Sequence, residues 1–503
     1  MSVGPQILNI VTPMITPMKN VPQTVQTTYQ QIKQQQNTRL ELRNIKNHYY
    51  IYKAQNHYNK QTKQSQKTTQ LIGKITPDGQ YHPKQTKQQT VKISATKTYQ
   101  YASSELLLQL SKDLQQATKN LPYKDELLAL SITKAIHPTP IRLTQTAWND
   151  LYASTKIPAN LTQKNITKTL TTIGENIQKI CNLFHNLTPD GGMLFYDLTS
   201  ILSQSKRLLL AERGYNPDWE QRGQIKVALA FSTTSFLPVA VDVFYGSLKE
   251  VKVLKYFKEH YQGSDLGFIM DRGFNSYELL LELKKQGIHY IAPLMKNPKF
   301  LPPAITLEGV FEYGKKKKKT GKGRMIAFGK VCCGEYGFLY LFKDPGLGRL
   351  VEEHLLGLVF RQKLSMEEYE FEGKLAGVFG ILSDLDVEPK VVFEQYKARE
   401  EIEQVFDYMK NDLEADHTCL GNDEAVRGFF VVVFLAMRLY FKILQRLREK
   451  GLVGMVSVRE VLFELSKMRM IVETNGKEHL CVLSKKAEQI LEVFSDLVKT
   501  SWG

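Results

Sequence analysis

The sequence is poor in the residues that build sulfur- or nitrogen-ligated metal sites. Its 503 residues hold five cysteines, Cys181, Cys332, Cys333, Cys419 and Cys481, an odd number with no C-x-x-C spacing. That excludes a disulfide framework and a zinc knuckle, and reduced thiols are the expected state. The ten histidines form no H-E-x-x-H or H-x3-H pair, so any metal must be held by oxygen. Long apolar runs are missing too. The longest, FFVVVFLAM from Phe429 to Met437, is nine residues, well short of the roughly 17 to 25 a spanning helix needs. It reads as a buried core helix, and no membrane partner is expected. The first residues, MSVGPQILNIVTPM, carry no charged n-region and no small-residue cleavage site, so a cytoplasmic location without a secretory signal is expected. Gly321-Lys322-Gly323 lacks the G-x4-G-K-S/T frame of a P-loop, which excludes a nucleotide cofactor on that motif.

Acidic residues are scarce in one region. Residues 1–100 hold twelve lysines and two arginines against only Glu41 and Asp78, so most of the chain's formal net charge of +16 lies there, beside eighteen glutamines. A balance this basic favours a polyanionic partner through counterion release and steering. The first 45 or so residues, with Gln34-Gln35-Gln36 and scattered prolines, are expected to be partly disordered. From His48 the pattern tightens into HYYIYKAQ, a polar basic link, TTQLIGKIT and a Pro77-Asp78-Gly79 turn, which predicts a basic β-hairpin. Tyr49, Tyr50 and Tyr52, interleaved with lysine, suit half-buried strand positions and also DNA contact.

Residues 101–190 turn helical. Ser103 to Ala117 opens on a serine cap, Tyr123 to Ile136 stops before His137-Pro138, and Leu161 to Leu187 continues the pattern. From 191 to 297 the order becomes strand (MLFYDLTS), two strands around a short turn (Gln224 to Ser232 and Leu237 to Gly246), helix (Ser247 to Tyr261), strand (LGFIM), helix (NSYELLLELKKQG, starting at the Asn275/Ser276 cap and stopping at Gly287) and strand (His289 to Leu294). Residues 298–375 interrupt this order. VFEYG, MIAFGKVCC, EYGFLYLFKD and EYEFEGKLAGVFGIL read as β segments, and Gly314 to Arg324 carries five consecutive lysines in a glycine-rich loop, a solvated tip or a phosphate contact. Residues 376–450 resume the core, and 451–503 are expected to be helical.

One stretch organises the rest: YKAREEIEQVFDYMK, Tyr396 to Lys410. On a single α-helix it puts Ile402, Val405, Phe406 and Met409 in one apolar stripe, and Tyr396, Arg399, Glu403 and Lys410 within about 60° of each other on the adjacent face. Charged residues at such spacing usually form only weak solvated pairs. Here, however, Tyr396, two residues, Arg399, three residues, Glu403, six residues and Lys410 match the Y-R-E-K signature, and the chain resembles the cut-and-paste insertion-sequence transposases that carry it. Two further carboxylates are then expected upstream. Asp197 in MLFYDLTS and Asp271 in LGFIMDRGF each end an apolar run, as that family's catalytic aspartates do.

The resemblance implies an α/β fold: an RNase H-like mixed-sheet catalytic core interrupted by a β-rich insertion, with an N-terminal basic hairpin and a helical DNA-binding region. It implies catalytic and metal-ligating roles for Asp197, Asp271 and Glu403, which together would hold Mg²⁺, with Mn²⁺ tolerated. Arg399 and Lys410 would hold DNA phosphates, and Tyr396 would orient DNA beside the cut. The implied partners are transposon terminal inverted repeats and target DNA, bound by a homodimer in a prokaryotic cell. A nuclease that cuts without rejoining, and a transposase-derived DNA-binding protein that has lost catalysis, are the rival readings.

Overall fold

A computed structural model describes residues 21–36, 38–45, 48–59, 64–84, 95–187, 192–213, 223–260, 266–274, 276–294, 306–314, 323–481 and 484–498. The run of five lysines lies outside the described residues. The chain divides into two compact units, residues 1–94 and 95–503.

In the first unit, Gln23–Gln35 is a helix whose buried residues Val25, Tyr29 and Ile32 recur at helical spacing. Part of the stretch expected to be disordered is therefore ordered. The reason is this apolar stripe, spaced i, i+4, i+7, which the surrounding glutamines mask in composition. The stripe packs with Leu40, Leu42, Tyr49, Ile51 and Ile75 in a small core. The expected hairpin is present as His48–Asn59 paired antiparallel with Gln64–Ile75. Leu40–Ile45 and Tyr81–Pro83 extend it to four strands. Tyr49 is buried in the core, whereas Tyr52 lies under the Arg43 guanidinium at 4.4 Å.

The second unit is built on one sheet. Its first strands are β1 (Gly192–Ser203), β2 (Gln224–Ser232), β3 (Pro238–Tyr245), β4 (Leu266–Ile269) and β5 (His289–Pro293). Their spatial order is β3-β2-β1-β4-β5. β1, β2 and β3 pair antiparallel, while β4 runs parallel to β1 and β5 parallel to β4. Helix Glu250–His260 makes the β3 to β4 crossover, and Tyr277–Lys285, capped by the Ser276 hydroxyl, makes the next one. The strands are nearly continuous apolar runs, as both faces are covered.

The sheet does not stop at β5. Strands β6 (Gly309–Tyr313), β7 (Arg324–Cys332), β8 (Phe338–Lys343) and β9 (Val378–Ser383) continue it, with β9 pairing antiparallel to β5. The inserted strands thus extend the core sheet. The stretch EYEFEGKLAGVFGIL is not one strand: its first half belongs to the helix Met366–Lys374, and only Val378 onward is extended. The alternation of Glu with Tyr and Phe imitates a strand. The decisive signal is the Ser365/Glu368 capping box, which closes both hydrogen bonds in the structure and starts a helix. With Pro345–Phe360, that makes the insertion mixed α/β instead of β-rich.

The expected helices of residues 101–190 are present but more divided. Ser111 separates Ala102–Leu110 from Lys112–Thr118, and Asn176 separates Gln163–Glu175 from Ile177–Leu187. The strand Ala95–Gln100 pairs with Arg469–Glu473 near the other end of the chain. The helix Asp423–Glu449 is long and apolar enough to cross a membrane, yet 72% of its most apolar window is buried within the protein. It is the central core helix, packed on Lys124–Ile136, Gln163–Glu175 and β3.

Two glycines allow that packing. A Cβ on Gly428 would sit 2.0 Å from the Leu170 carbonyl oxygen, and one on Gly174 would sit 1.8 Å from that of Glu424. Alanine in a helix interior is ordinarily favoured over glycine by about 1 kcal/mol. Here a backbone clash opposes it, and overpacking of this kind costs roughly 1–3 kcal/mol or more. Gly428→Ala is therefore expected to lower the melting temperature of the second unit, and an unchanged or higher melting temperature would show that the helices can part without cost.

Candidate active site

Register brings the first two carboxylates together. β1 and β4 run parallel with Phe195 opposite Ile269, and two residues further along each chain stand Asp197 and Asp271. Asp197 is still within β1 and Asp271 lies just past the end of β4, near enough to push the Asp197 carboxyl up. β4 ends at Ile269 while β1 runs on to Ser203. Asp197 is consequently mid-strand, and does not end it as the apolar run suggested. Asp271 enters a tight turn, Arg272–Phe274, closed by the Phe274 N–H donating to the Asp271 carbonyl at 3.2 Å. Phe274 is buried beneath Tyr196, with ring centroids 5.2 Å apart, so the core fixes where the turn sits.

The third carboxylate arrives from far along the chain. The stretch Tyr396 to Lys410 is not one straight helix. Pro389–Lys397 and Glu400–Asp407 are separate helices, and Tyr408–Asp412 is a π-helical turn. Tight i→i−3 bonds join the two helices, Arg399 N to the Tyr396 carbonyl at 3.2 Å and Ile402 N to the Arg399 carbonyl at 2.9 Å. The apolar stripe is as expected, with Ile402, Val405, Phe406 and Met409 all buried. Glu400–Asp407 packs against β1.

Arg399 stands where these elements meet. One guanidinium nitrogen lies 3.3 Å from Asp271 Oδ2 and the other 3.4 Å from Glu403 Oε1. Its carbon lies 5.8 Å from the centre of the Tyr396 ring. Two carboxylates 132 residues apart in sequence thus share one cation. The Tyr396 phenol is pushed up by burial, with Asp271 and Glu403 adding to the effect and Arg399 and Arg272 opposing it. Lys410 lies on the π-helical turn, half-buried.

Asp197 has no such cation to itself. Its Oδ1 accepts the Leu198 N–H at 2.8 Å. Burial pushes its carboxyl up to about 6; the Leu198 N–H and Arg399 oppose this, and Asp271 and Glu250 reinforce it. Glu250 is a fourth acid of the site that the motif does not contain. A Cβ on Gly273 would meet Glu250 Oε2 at 1.6 Å, so the carboxylate lies against the turn that follows Asp271. The glycine of Asp-Arg-Gly-Phe leaves room for it there. In the sequence Glu250 looks like an ordinary first-turn helix acid, and only the crossover geometry reveals its place.

Among the described residues, no three acidic, histidine or cysteine side chains stand close enough together to enclose a cation. Arg399 lies between two of the carboxylates. The donor chemistry nonetheless suits a hard divalent cation: all-oxygen donors, one of them desolvated, and more negative charge than one guanidinium neutralises.

Residues 195–439 match the family model of the transposase DDE domain. A cryo-EM structure of a piggyBac transposase synaptic complex with hairpin DNA aligns over 73% of this chain and 78% of its own, at 12% identity and a TM-score of 0.36. No curated protein matches the chain.

Proposed function

We propose, for a chain whose residues 195–439 belong to the transposase DDE-domain family, that it cuts the ends of its own DNA element and joins them to a target. The observation that carries this reading is the sharing of Arg399 by Asp271 and Glu403 beside the desolvated Asp197. The order β3-β2-β1-β4-β5, with its antiparallel half and its parallel half, supports an RNase H-like core. In such a sheet the site lies where parallel strands end.

Asp197, Asp271 and Glu403 would hold Mg²⁺, or Mn²⁺ in its place, with Asp197 shared by two ions and the other two acids completing one each. Bound there, divalent ions would polarise the phosphodiester and stabilise both the attacking and the leaving oxygen. The chain's own side chains do the rest. Arg399 neutralises Asp271 and Glu403 while they are otherwise unengaged, and its planar fork then suits a phosphate beside the cut. Lys410 offers a point charge further along the backbone, and Tyr396 gives DNA a ring to rest on. Water attacks the phosphodiester at the element's end and frees a 3′-hydroxyl. That hydroxyl attacks a target phosphodiester, exchanging one such bond for another, so no nucleotide is consumed. The chain acts on DNA as a homodimer.

The test is incubation of the full chain with Mg²⁺, a duplex copied from the DNA flanking its coding region, and a supercoiled target. Free 3′-hydroxyl ends and joined products are expected. Cleavage without joining would indicate a simple nuclease, and neither product would indicate lost catalysis. Arg399→Ala is expected to weaken duplex binding and to reduce the slope of log affinity against log salt by about 0.9, one phosphate contact. An unchanged slope in a binding titration across KCl concentrations would remove Arg399 from the DNA interface.

A further inference from the structure

The two inserted helices are almost bare. Pro345–Phe360 buries only Gly348 and Leu355, and Met366–Lys374 buries nothing. At 100° per residue, Leu350 and Phe360 fall on the half of the first helix facing away from those two contacts, with Leu347 and Leu356 at its two edges. The second helix adds Met366 and Phe371. Phe360 is 88% exposed, Phe371 68%, Leu350 64% and Met366 55%. Of the twenty-one exposed large apolar side chains among the described residues, seven lie between 345 and 375, so this is a concentrated patch and not ordinary scatter. At roughly 200 Å² for a whole large side chain, their exposed parts amount to on the order of 700 Å². That exceeds the roughly 300–600 Å² of the largest patch on a typical monomer, and approaches the about 800 Å² each partner gives to a standard interface.

Charge selects the occupant. Residues 345–374 carry six glutamates and four cations, all of them exposed. Four of the glutamates, residues 367 to 372, sit on the second helix with Lys374; the first helix carries Arg349, Glu352 and Glu353, and the basic pair Arg361 and Lys363 follows its end. A DNA backbone would be repelled by the acidic helix and would gain nothing from the apolar side chains. A second copy of the same hairpin, turned by a two-fold axis, sets each acidic second helix against Arg361 and Lys363 of the other copy and closes both apolar patches. We infer that the helical hairpin 345–374 is a self-association surface that pairs two copies of this chain, independently of DNA. It places dimerisation in the insertion between β8 and β9.

Sedimentation velocity of the full chain, without DNA or metal, tests this over a concentration series. The mass is expected to rise from 57.7 kDa to twice that value for the wild-type chain. Leu350→Glu and Phe371→Lys are expected to hold it at the monomer value while leaving far-UV circular dichroism unchanged, as both side chains are exposed in the single chain. A wild-type chain that stays monomeric at every concentration overturns the inference, as do folded variants that still dimerise. Neither outcome bears on strand cutting, because the measurement contains no substrate.

Discussion

Asp271→Asn leaves duplex binding intact and slows Mg²⁺-dependent strand cleavage by at least about a thousandfold, the factor expected when several kcal/mol of metal-derived stabilisation are lost. Asparagine keeps the size of the side chain and removes its charge. The turn survives, because it is closed by backbone bonds and by Phe274 packed under Tyr196. Arg399 keeps Glu403 as a partner at 3.4 Å, so the Tyr396–Arg399 junction has no reason to rearrange. Binding depends on the chain's cations, and the substitution removes none of them, although it frees Arg399 from one of its two carboxylates. Cleavage depends on a carboxylate adjacent to Asp197, which it removes. The check is a gel assay of both quantities on one duplex: cleavage at the wild-type rate would take Asp271 out of the reaction, whereas loss of binding along with cleavage would mean that the turn had collapsed.

Asp197→Asn makes the metal-free chain more stable at neutral pH. An acid whose carboxyl sits at about 6 in the folded chain, against an ordinary 3.8, binds its proton more tightly folded than unfolded. The stability this supplies is complete below the unfolded value and is lost as pH rises through the folded one. The shift corresponds to roughly 3 kcal/mol, lost by the wild type between about pH 4 and pH 6 and never by the asparagine variant. The melting temperature of the variant should therefore pull away from that of the wild type across this window and run parallel above it. Curves parallel throughout would mean that Asp197 is solvated. At neutral pH, adding Mg²⁺ should recover part of the difference for the wild type alone, since a ligand that binds only the folded chain stabilises it by mass action.

How far the site was legible depended on whether each signal was local. The spacing from Tyr396 to Lys410 located the last carboxylate, and the apolar stripe beside it is buried as its period required. The tight bonds at Arg399 and the π-helical turn at Tyr408 left no such mark, for no proline or glycine stands between Tyr396 and Asp412. Asp197 and Asp271 announced themselves by the apolar runs before them, and the pairing that aligns them is written in register and not in either run. Glu250 was hidden by its own ordinariness, since an acid in a first helical turn usually serves the helix alone. Longer-range features were beyond local pattern altogether. Ala95–Gln100 meets Arg469–Glu473 across most of the chain, and the continuation of the sheet from β5 through β9 depends on which edge is left open. In the insertion, glutamate alternating with aromatic residues imitates a strand, while the Ser365/Glu368 capping box marks the helix that forms.

The central claim is that Asp197, Asp271 and Glu403 together grip divalent cations. The most direct measurement is a Mn²⁺ titration, followed by the loss of the free-ion electron paramagnetic resonance signal, on the wild-type chain and on Asp197→Asn, Asp271→Asn and Glu403→Gln. The wild type is expected to take up Mn²⁺ in competition with Mg²⁺, and each variant to lose that uptake while remaining folded. Equal uptake by all four proteins would contradict the account.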